Sequence, residues 1–322
     1  MIELPVPARG VLERGVFCSL AANTPLGPHA TPMVFAVAGN RVWVTTSRGS
    51  VKAHAIRRDA RVAGLVRAGR DAVVFSATAT THDLLDASSW RRSLSRGALV
   101  SLAAARFTRK NARFFAGYAV DAHRVPLAWM PPGRVFVELA IERGALLEGD
   151  RDPRVVWGDW GDAIGGAPSA ERFRATRVGE DPLARLPADV RAALGDRGRG
   201  ALALEGAEGP LVVPAEWVVS GAGLYAVAPG ETIALAATGS ATPRAALVID
   251  RPSSWRARSM LGVMVRGVAE VHVTTRLTSG ERSARAVASE AGLDVDVPAI
   301  VRIRPKRFVW WRGWRSGTVM AG

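Results

Sequence analysis

Eight consecutive residues, 45–52, carry the side chains best suited to binding chemistry in this sequence. They are Thr45, Thr46, Ser47, Arg48, Gly49, Ser50, Val51 and Lys52. The segment lies where a β-rich run ends and a helical pattern begins, so hydroxyls, a lysine and the free amides of a first helical turn would converge there. These donors suit a phosphate dianion. The alternative is that Ser50 only caps the helix and Lys52 is solvated.

The other reactive residue types form no recognisable site. Five histidines lie far apart and have no obvious carboxylate or serine partner: His29, His54, His82, His123 and His272. The single cysteine, Cys18, excludes an internal disulfide, and no Cys/His cluster has the spacing of zinc ligands. The sequence therefore predicts no metal site and leaves the catalytic residues unknown.

The chain repeats itself at a constant spacing of 182 positions. Leu4-Pro5 reappears as Leu186-Pro187, and Gly27-Pro28 as Gly209-Pro210. Because this register persists without a gap through several unusual residue types, we predict two copies of one domain. The predicted boundaries are 1–160 for the first copy, 161–185 for a linker and 186–322 for the second copy.

Each copy is predicted to be mostly strand after a short opening helix. In the first copy the runs typical of strands are 15–21, 31–37, 41–45, 62–66, 72–78 and 134–141. Residues 51–59 have helical spacing, with Val51, Ala55 and Ile56 on one face and Lys52 elsewhere. Short strands around one crossing helix predict a mainly β, α+β fold in which each copy closes into a small barrel.

The first copy carries an insertion at about 83–127 that the second copy lacks. Its apolar residues predict a helix whose inner face contains Trp90, Leu94, Leu99 and Leu102, followed by more bulk at Phe107, Phe114 and Phe115. Two interpretations stay open. The insertion is either a helical cap packed on the barrel or, in part, a lid over a substrate.

The residues at 45–52 also resemble the phosphate-binding segment of the pyridoxamine 5′-phosphate oxidase-like, FMN-binding split-barrel superfamily. The pattern of that segment falls on Thr46, Ser50 and Lys52. The strand 29–35 resembles the one that borders the flavin ring, which makes His29, Thr31, Pro32 and Met33 candidate cofactor-binding residues. Residues 57–62 look like the motif after the crossing helix, with Ala60 in place of its usual proline.

The resemblance implies two tandem split barrels that form a pseudo-dimer within one chain, with the cofactor between them. The second copy does not keep the phosphate motif, because residues 228–234 contain Pro229 and Glu231 and no Lys or Arg. We therefore expect one site per chain. The second barrel would supply the opposite wall with Trp310, Trp311 or Trp314, although barrel packing is an alternative role for these side chains.

The implied function is an FMN-dependent oxidoreductase acting on an unidentified small molecule. A deazaflavin cofactor is the first alternative, and a flavin- or haem-binding protein without turnover is the second. The sequence leaves further assembly into a homodimer open.

Composition argues against other classes of partner. The formal net charge is +14, but it comes from scattered arginines without a basic run or interleaved aromatics, so we expect no nucleic acid partner. No apolar stretch is long enough to span a membrane. The first residues lack the basic and apolar regions of a signal peptide, so a cytoplasmic location is expected.

Overall fold

The computed structural model shows two closed antiparallel barrels with few helices. The residues that it describes are 3–83, 85–86, 89–90, 95–120, 133–148, 153–160, 181–220, 223–235, 243–251, 257–272, 282, 285–286, 289 and 298–321. Most of the predicted linker, 161–180, and position 94 of the predicted insertion helix lie outside the described residues. The predicted domain boundaries therefore stay predictions.

The first sheet has seven strands in the order β3-β2-β1-β4-β5-β6-β7, and pairing of β3 with β6 closes the first six into a ring. These strands are β1 (Phe17–Thr24), β2 (Gly27–Ala38), β3 (Arg41–Ser47), β4 (Arg61–Ala68), β5 (Asp71–His82), β6 (Arg134–Glu148) and β7 (Pro153–Trp157). The helices α1 (Val6–Arg14) and α2 (Val51–Arg58) flank the first three strands along the chain. The predicted hairpin between β2 and β3 turns at Gly39, whose φ of +62° favours glycine.

Two helices of the insertion, α3 (Gly97–Lys110) and α4 (Ala112–Val120), lie against this barrel. Ala103 of α3 is buried with Ala38 and Trp43, and Leu99 packs against the same cluster. The predicted inner face was wrong at Trp90 and Leu102, whose side chains are exposed. Leu99, Ala103 and Phe107 are spaced by four and share the face of α3 that packs on the barrel, so Leu102 lies outside this face.

The second sheet repeats the first in strand order, β10-β9-β8-β11-β12-β13-β14, and closes by pairing of β10 with β13. Its elements are α5 (Ala188–Leu194), β8 (Arg197–Gly206), β9 (Gly209–Ser220), β10 (Gly223–Pro229), α6 (Gly230–Ala234), β11 (Arg244–Arg251), a 3₁₀ turn (Ala257–Ser259), β12 (Leu261–His272), β13 (Pro298–Arg312) and β14 (Arg315–Met320). The mainly β fold with two barrels is as the sequence predicted. That the barrels arose by duplication stays a prediction.

One continuous hydrophobic cluster joins the two barrels, and the first barrel has a further core of its own. Buried side chains of the first barrel, including Leu65 and Leu147, belong to the same cluster as Leu247 and Val265 of the second. Burial of apolar area is the dominant favourable term in such a contact. The chain is therefore packed as an intramolecular pair of barrels, and the space between them is where a shared site can form.

Candidate functional site

The predicted phosphate segment joins the end of β3 to the start of α2. Ser50 is the N-cap of α2, because its Oγ accepts a hydrogen bond from the Ala53 amide at 3.0 Å. The same hydroxyl lies 2.9 Å from Thr46 Oγ1. The amides of Val51 and Lys52 occupy the first helical turn, which has no intrahelical acceptors for them. Hydroxyls and amide donors therefore converge as the sequence predicted.

Lys52 lies on the buried face of α2, and Val51 does not. Sequence periodicity assigned them the opposite way, yet Lys52 is only 3% exposed and Val51 is 53% exposed. The Lys52 ammonium donates hydrogen bonds to Thr31 Oγ1 and, at 3.0 Å, to Met33 Sδ, so α2 turns this side chain toward β2. Burial lowers the pKa of Lys52 from 10.5 to about 7. A buried amine without a carboxylate partner among the described residues is the unusual feature of this site.

The candidate residues of β2 lie beside Lys52. His29 is mostly buried, and burial together with the nearby charges of Lys52 and Arg266 lowers its pKa to about 3. Its imidazole is therefore neutral at physiological pH. Thr31, Pro32 and Met33 follow it along the strand and are partly exposed to the space between the barrels.

A cavity of about 330 Å³ collects these residues at the junction of the barrels. All the predicted site residues line it except Val51. The lining residues from the first barrel are Phe17, His29, Thr31, Pro32, Met33, Val34, Thr45, Thr46, Ser47, Ser50, Lys52, Phe114 and Arg134. The second barrel contributes Met260, Val309, Trp310, Trp311, Gly313 and Ser316.

The cavity is asymmetric in charge and polarity. Its described basic side chains, Lys52 and Arg134, come from the first barrel, and no aspartate or glutamate is among the described residues that line it. The second barrel contributes mainly apolar surface, with Trp310 and Trp311 as its largest side chains. Trp314, the third candidate, does not line the cavity. This arrangement suits an anion attached to a large apolar group.

Arg134, Phe17 and Phe114 line the cavity and were not predicted from the sequence as site residues. Arg134 is the first residue of β6 and pairs in register with Ser47 of β3. Its guanidinium donates to Thr45 O and Thr45 Oγ1, both at 2.8 Å, which places a second cation beside the phosphate segment. Arg134 is the first residue of the predicted closing strand, and pairing of that strand with β3 would have indicated its place beside the phosphate segment.

Each barrel is a closed ring of six strands, and the strand order is the same in both. The cavity lies between the two rings. The chain is a tandem split β-barrel. The resemblance found in the sequence therefore holds for the fold.

The chain matches no protein-family model and no curated protein. Among solved structures, it is similar to a FAD-binding protein from Mesorhizobium loti, with 17% identity, a TM-score of 0.32 and coverage of 45% of this chain and 94% of that one. It is also similar to an F420 reductase, with 16% identity, a TM-score of 0.30 and coverage of 44% and 98%. A haem-binding protein from Mycobacterium smegmatis has 22% identity, a TM-score of 0.32 and coverage of 45% and 60%.

The equivalent face of the second split barrel is packed with apolar side chains. Ala228 and Ile233, at the end of β10 and in α6, are buried in the core that joins the barrels. Leu183, which lies in the predicted linker, is fully buried in the same cluster. Thr232 is fully buried, and its hydroxyl has no hydrogen-bond partner within the described part of the chain. These described residues carry no cationic side chain, and one site per chain stays a prediction.

The part of the chain that the structure describes contains neither a group of metal ligands nor a helix that could span a membrane. No three side chains from His, Cys, Asp and Glu are grouped so that they could hold a metal ion within it. None of its helices combines the length and apolar character needed to cross a bilayer.

Proposed function

We propose that this tandem split barrel holds one phosphate-bearing, flavin-type cofactor, FMN in the first place, in the cavity between its barrels. The observation that carries the proposal is Lys52. Its ammonium is buried at the cavity, with a hydroxyl and a thioether as its described acceptors. An ammonium has three donors, so a phosphate oxygen would add an anionic acceptor to the two neutral ones described.

The polar side of the cavity fits a phosphate group. Thr46, Ser47 and Ser50 supply hydroxyls, and the first turn of α2 supplies amide donors at the positive end of its dipole. Arg134 adds a second cation from β6, held in place by Thr45. These donors come from three different elements, so they can surround a phosphate instead of contacting one face of it.

The apolar side of the cavity fits a planar ring. Trp310, Trp311 and Met260 form it from the second barrel, and Phe114 of α4 adds an aromatic side chain from the insertion. Large aromatic side chains bury apolar area and stack on other rings. The insertion therefore contributes to the cavity wall through α4 and packs on the barrel through α3. A lid over the substrate stays a prediction.

An oxidoreductase activity follows from this occupant. When bound, a flavin-type ring supplies hydride transfer, and the protein supplies binding, orientation and exclusion of water. Lys52 and Arg134 would fix the phosphate end, and the tryptophans would hold the ring plane. The substrate is an unidentified small molecule.

His29 favours one alternative, a haem-binding protein without turnover. Its neutral imidazole lines the cavity and has no hydrogen-bond partner among the described residues, which is the state that ligates haem iron. A deazaflavin also combines a planar ring with a phosphate group, so it is the other alternative for the same cavity.

Titration of the purified chain with FMN, with a phosphate-bearing deazaflavin and with haemin, each followed by absorption spectroscopy, tests the proposal. We expect FMN to bind saturably at one equivalent per chain, because only the first barrel has the phosphate segment. Binding of haemin alone, with a Soret shift lost in His29→Ala, would support the haem alternative. Binding of none of the three would contradict a cofactor function.

Removal of the Phe114 side chain should weaken FMN binding about tenfold, because one aromatic contact with the ring is lost. Phe115→Ala is the matched control, since Phe115 is the next residue of α4 and is 39% exposed outside the cavity lining. Fluorescence quenching of FMN measures both affinities. Equal affinities for the two variants would show that α4 does not contact the bound ring.

A further inference from the structure

A second cavity, of about 310 Å³, lies between the barrels and shares no lining residue with the cofactor cavity. The first barrel lines it with residues of β4, β5 and β6 and with Asp159. The second barrel lines it with residues 207–210, which form the turn after β8 and the start of β9. We call this cavity the β8–β9 cleft. Its polar side chains are Arg61, Ser76, Glu142, Arg143, Asp159 and Glu208.

The equivalent place in the second barrel can be identified from strand register. Ser76 of β5 pairs with Ala63 of β4, and Arg266 of β12 pairs with Ala246 of β11. A register shift follows each of them, between Ser76 and Ala77 and between Arg266 and Gly267. Ser76 and Arg266 therefore occupy the same position in the two barrels.

Arg266 fills its side of the interface. Its side chain is only 6% exposed, and its Nη2 donates to Thr24 Oγ1 at 2.6 Å and to Gly27 O at 2.9 Å. Thr24 and Gly27 flank the turn between β1 and β2 in the first barrel. A guanidinium is thus the group that occupies the space between β12 and the turn of the opposite barrel.

The β8–β9 cleft is the same space on the other side, without an arginine from β5. Gly209 begins β9 with a φ of +123°, as Gly27 begins β2 with a φ of +94°. A Cβ on Gly209 would contact Arg61, and a Cβ on Gly27 would contact Arg244, so the two turns approach the opposite barrel alike. Ser76 is 8% exposed, and its hydroxyl, which lines the cleft, has no hydrogen-bond partner among the described residues.

The charge of the cleft also favours a cation. Arg61 forms an ion pair with Asp59 at 2.9 Å, and Arg143 forms one with Glu208. Both guanidinium groups that line the cleft therefore already have carboxylate partners. Glu142 adds a further carboxylate to the lining, and its described hydrogen-bond partner is the neutral hydroxyl of Thr78. The cleft with its ion pairs holds more negative than positive charge, so it attracts a cation and disfavours an anion.

We propose that the β8–β9 cleft binds a small molecule with a guanidinium group on a short alkyl chain. The guanidinium would lie where that of Arg266 lies on the other side, near the β8–β9 turn and the hydroxyl of Ser76. Glu142 would face its charge. The site is independent of the cofactor cavity.

Calorimetric titration of the full chain with butylguanidinium and with its uncharged isostere butylurea tests this proposal. We expect saturable binding of butylguanidinium at one equivalent per chain, and affinity for butylurea at least tenfold weaker. Ser76→Arg places a guanidinium in the cleft from β5, so binding should be lost while FMN binding stays unchanged. No binding of butylguanidinium, or equal affinity for butylurea, would overturn the proposal.

Glu142→Gln keeps the test decisive if Ser76→Arg does not fold. The variant removes one charge from the cleft, and we expect about fivefold weaker binding of butylguanidinium. Glu148→Gln is its control, because Glu148 lies at the far end of β6, is exposed and pairs with Arg154 outside the cleft. Equal affinities in these two variants would also overturn the proposal.

Discussion

Replacement of Lys52 by methionine is expected to weaken FMN binding by about 100-fold or more. Truncating one partner of a buried, hydrogen-bonded charge pair costs about 2–5 kcal/mol, and every 1.4 kcal/mol corresponds to tenfold in affinity. Methionine keeps the length of the side chain, so the effect reports the charge and not a cavity. Titration of the apoprotein with FMN and with riboflavin, which lacks the phosphate, measures it. Riboflavin affinity should change little between wild type and variant.

The same variant should unfold at a higher temperature in the absence of cofactor. An ammonium buried without a carboxylate costs folding free energy, and methionine removes this cost. A purely structural lysine would give the opposite result, since its loss would destabilise the apoprotein. Thermal unfolding of the apo variant therefore separates a binding role from a packing role.

Lys110→Met is the matched control for both measurements. Lys110 of α3 is also partly buried, and burial lowers its pKa to about 8. Its ammonium lies 3.8 Å from the centre of the Phe35 ring and donates to Leu12 O, outside the cofactor cavity. FMN affinity should therefore stay near the wild-type value. If Lys110→Met weakened FMN binding as much as Lys52→Met does, the loss in Lys52→Met would not report a contact between Lys52 and the phosphate.

The strand framework was predictable because the repeat and the local patterns agree. The runs 31–37 and 41–45 predicted the β2–β3 hairpin. The turn between them contains Gly39, whose positive φ is the backbone conformation that such hairpin turns require. The closing strand was predicted over 134–141 and to end by Gly149, and β6 extends beyond residue 141 to Glu148. This extension pairs with β5 and β7 after a bulge, and such long-range pairings leave no local signal.

The candidate site was predictable in its polar half. Hydroxyls and a rare lysine lie together in sequence, so residues 45–52 indicated a phosphate site directly. The burial of Lys52 on the inner face of α2 was not predictable, because helical periodicity places a charged side chain on the solvent face. Arg134 and Phe114 come from distant elements, and their place at the cavity depends on strand closure and on the position of the insertion.

The affinity for FMN is expected to fall as the pH rises above about 7. Burial lowers the pKa of Lys52 to about 7 in the apoprotein, so above that pH the amine is neutral before the ligand arrives. A bound phosphate dianion favours the charged amine and raises its pKa, so binding requires uptake of a proton. Affinity then decreases by up to tenfold per pH unit between about pH 7 and the pKa of the complex. Fluorescence titrations at pH 6, 7, 8 and 9 measure this decrease.

Lys52→Arg provides the control, because a guanidinium stays charged throughout this range. Its FMN affinity should be independent of pH from 7 to 9, even if its absolute value is lower.

The stability of the apoprotein should change in the opposite direction. Between pH 7 and 10.5 the unfolded chain holds the proton of Lys52 and the folded chain does not, so the contribution of Lys52 to the free energy of unfolding rises with pH. Below pH 7 both states are protonated, and the folded state carries the full cost of a buried charge. Urea unfolding of wild type and Lys52→Met across this range isolates the contribution. Wild-type stability that rises no more than that of the variant would show that the Lys52 amine is charged and compensated without any ligand.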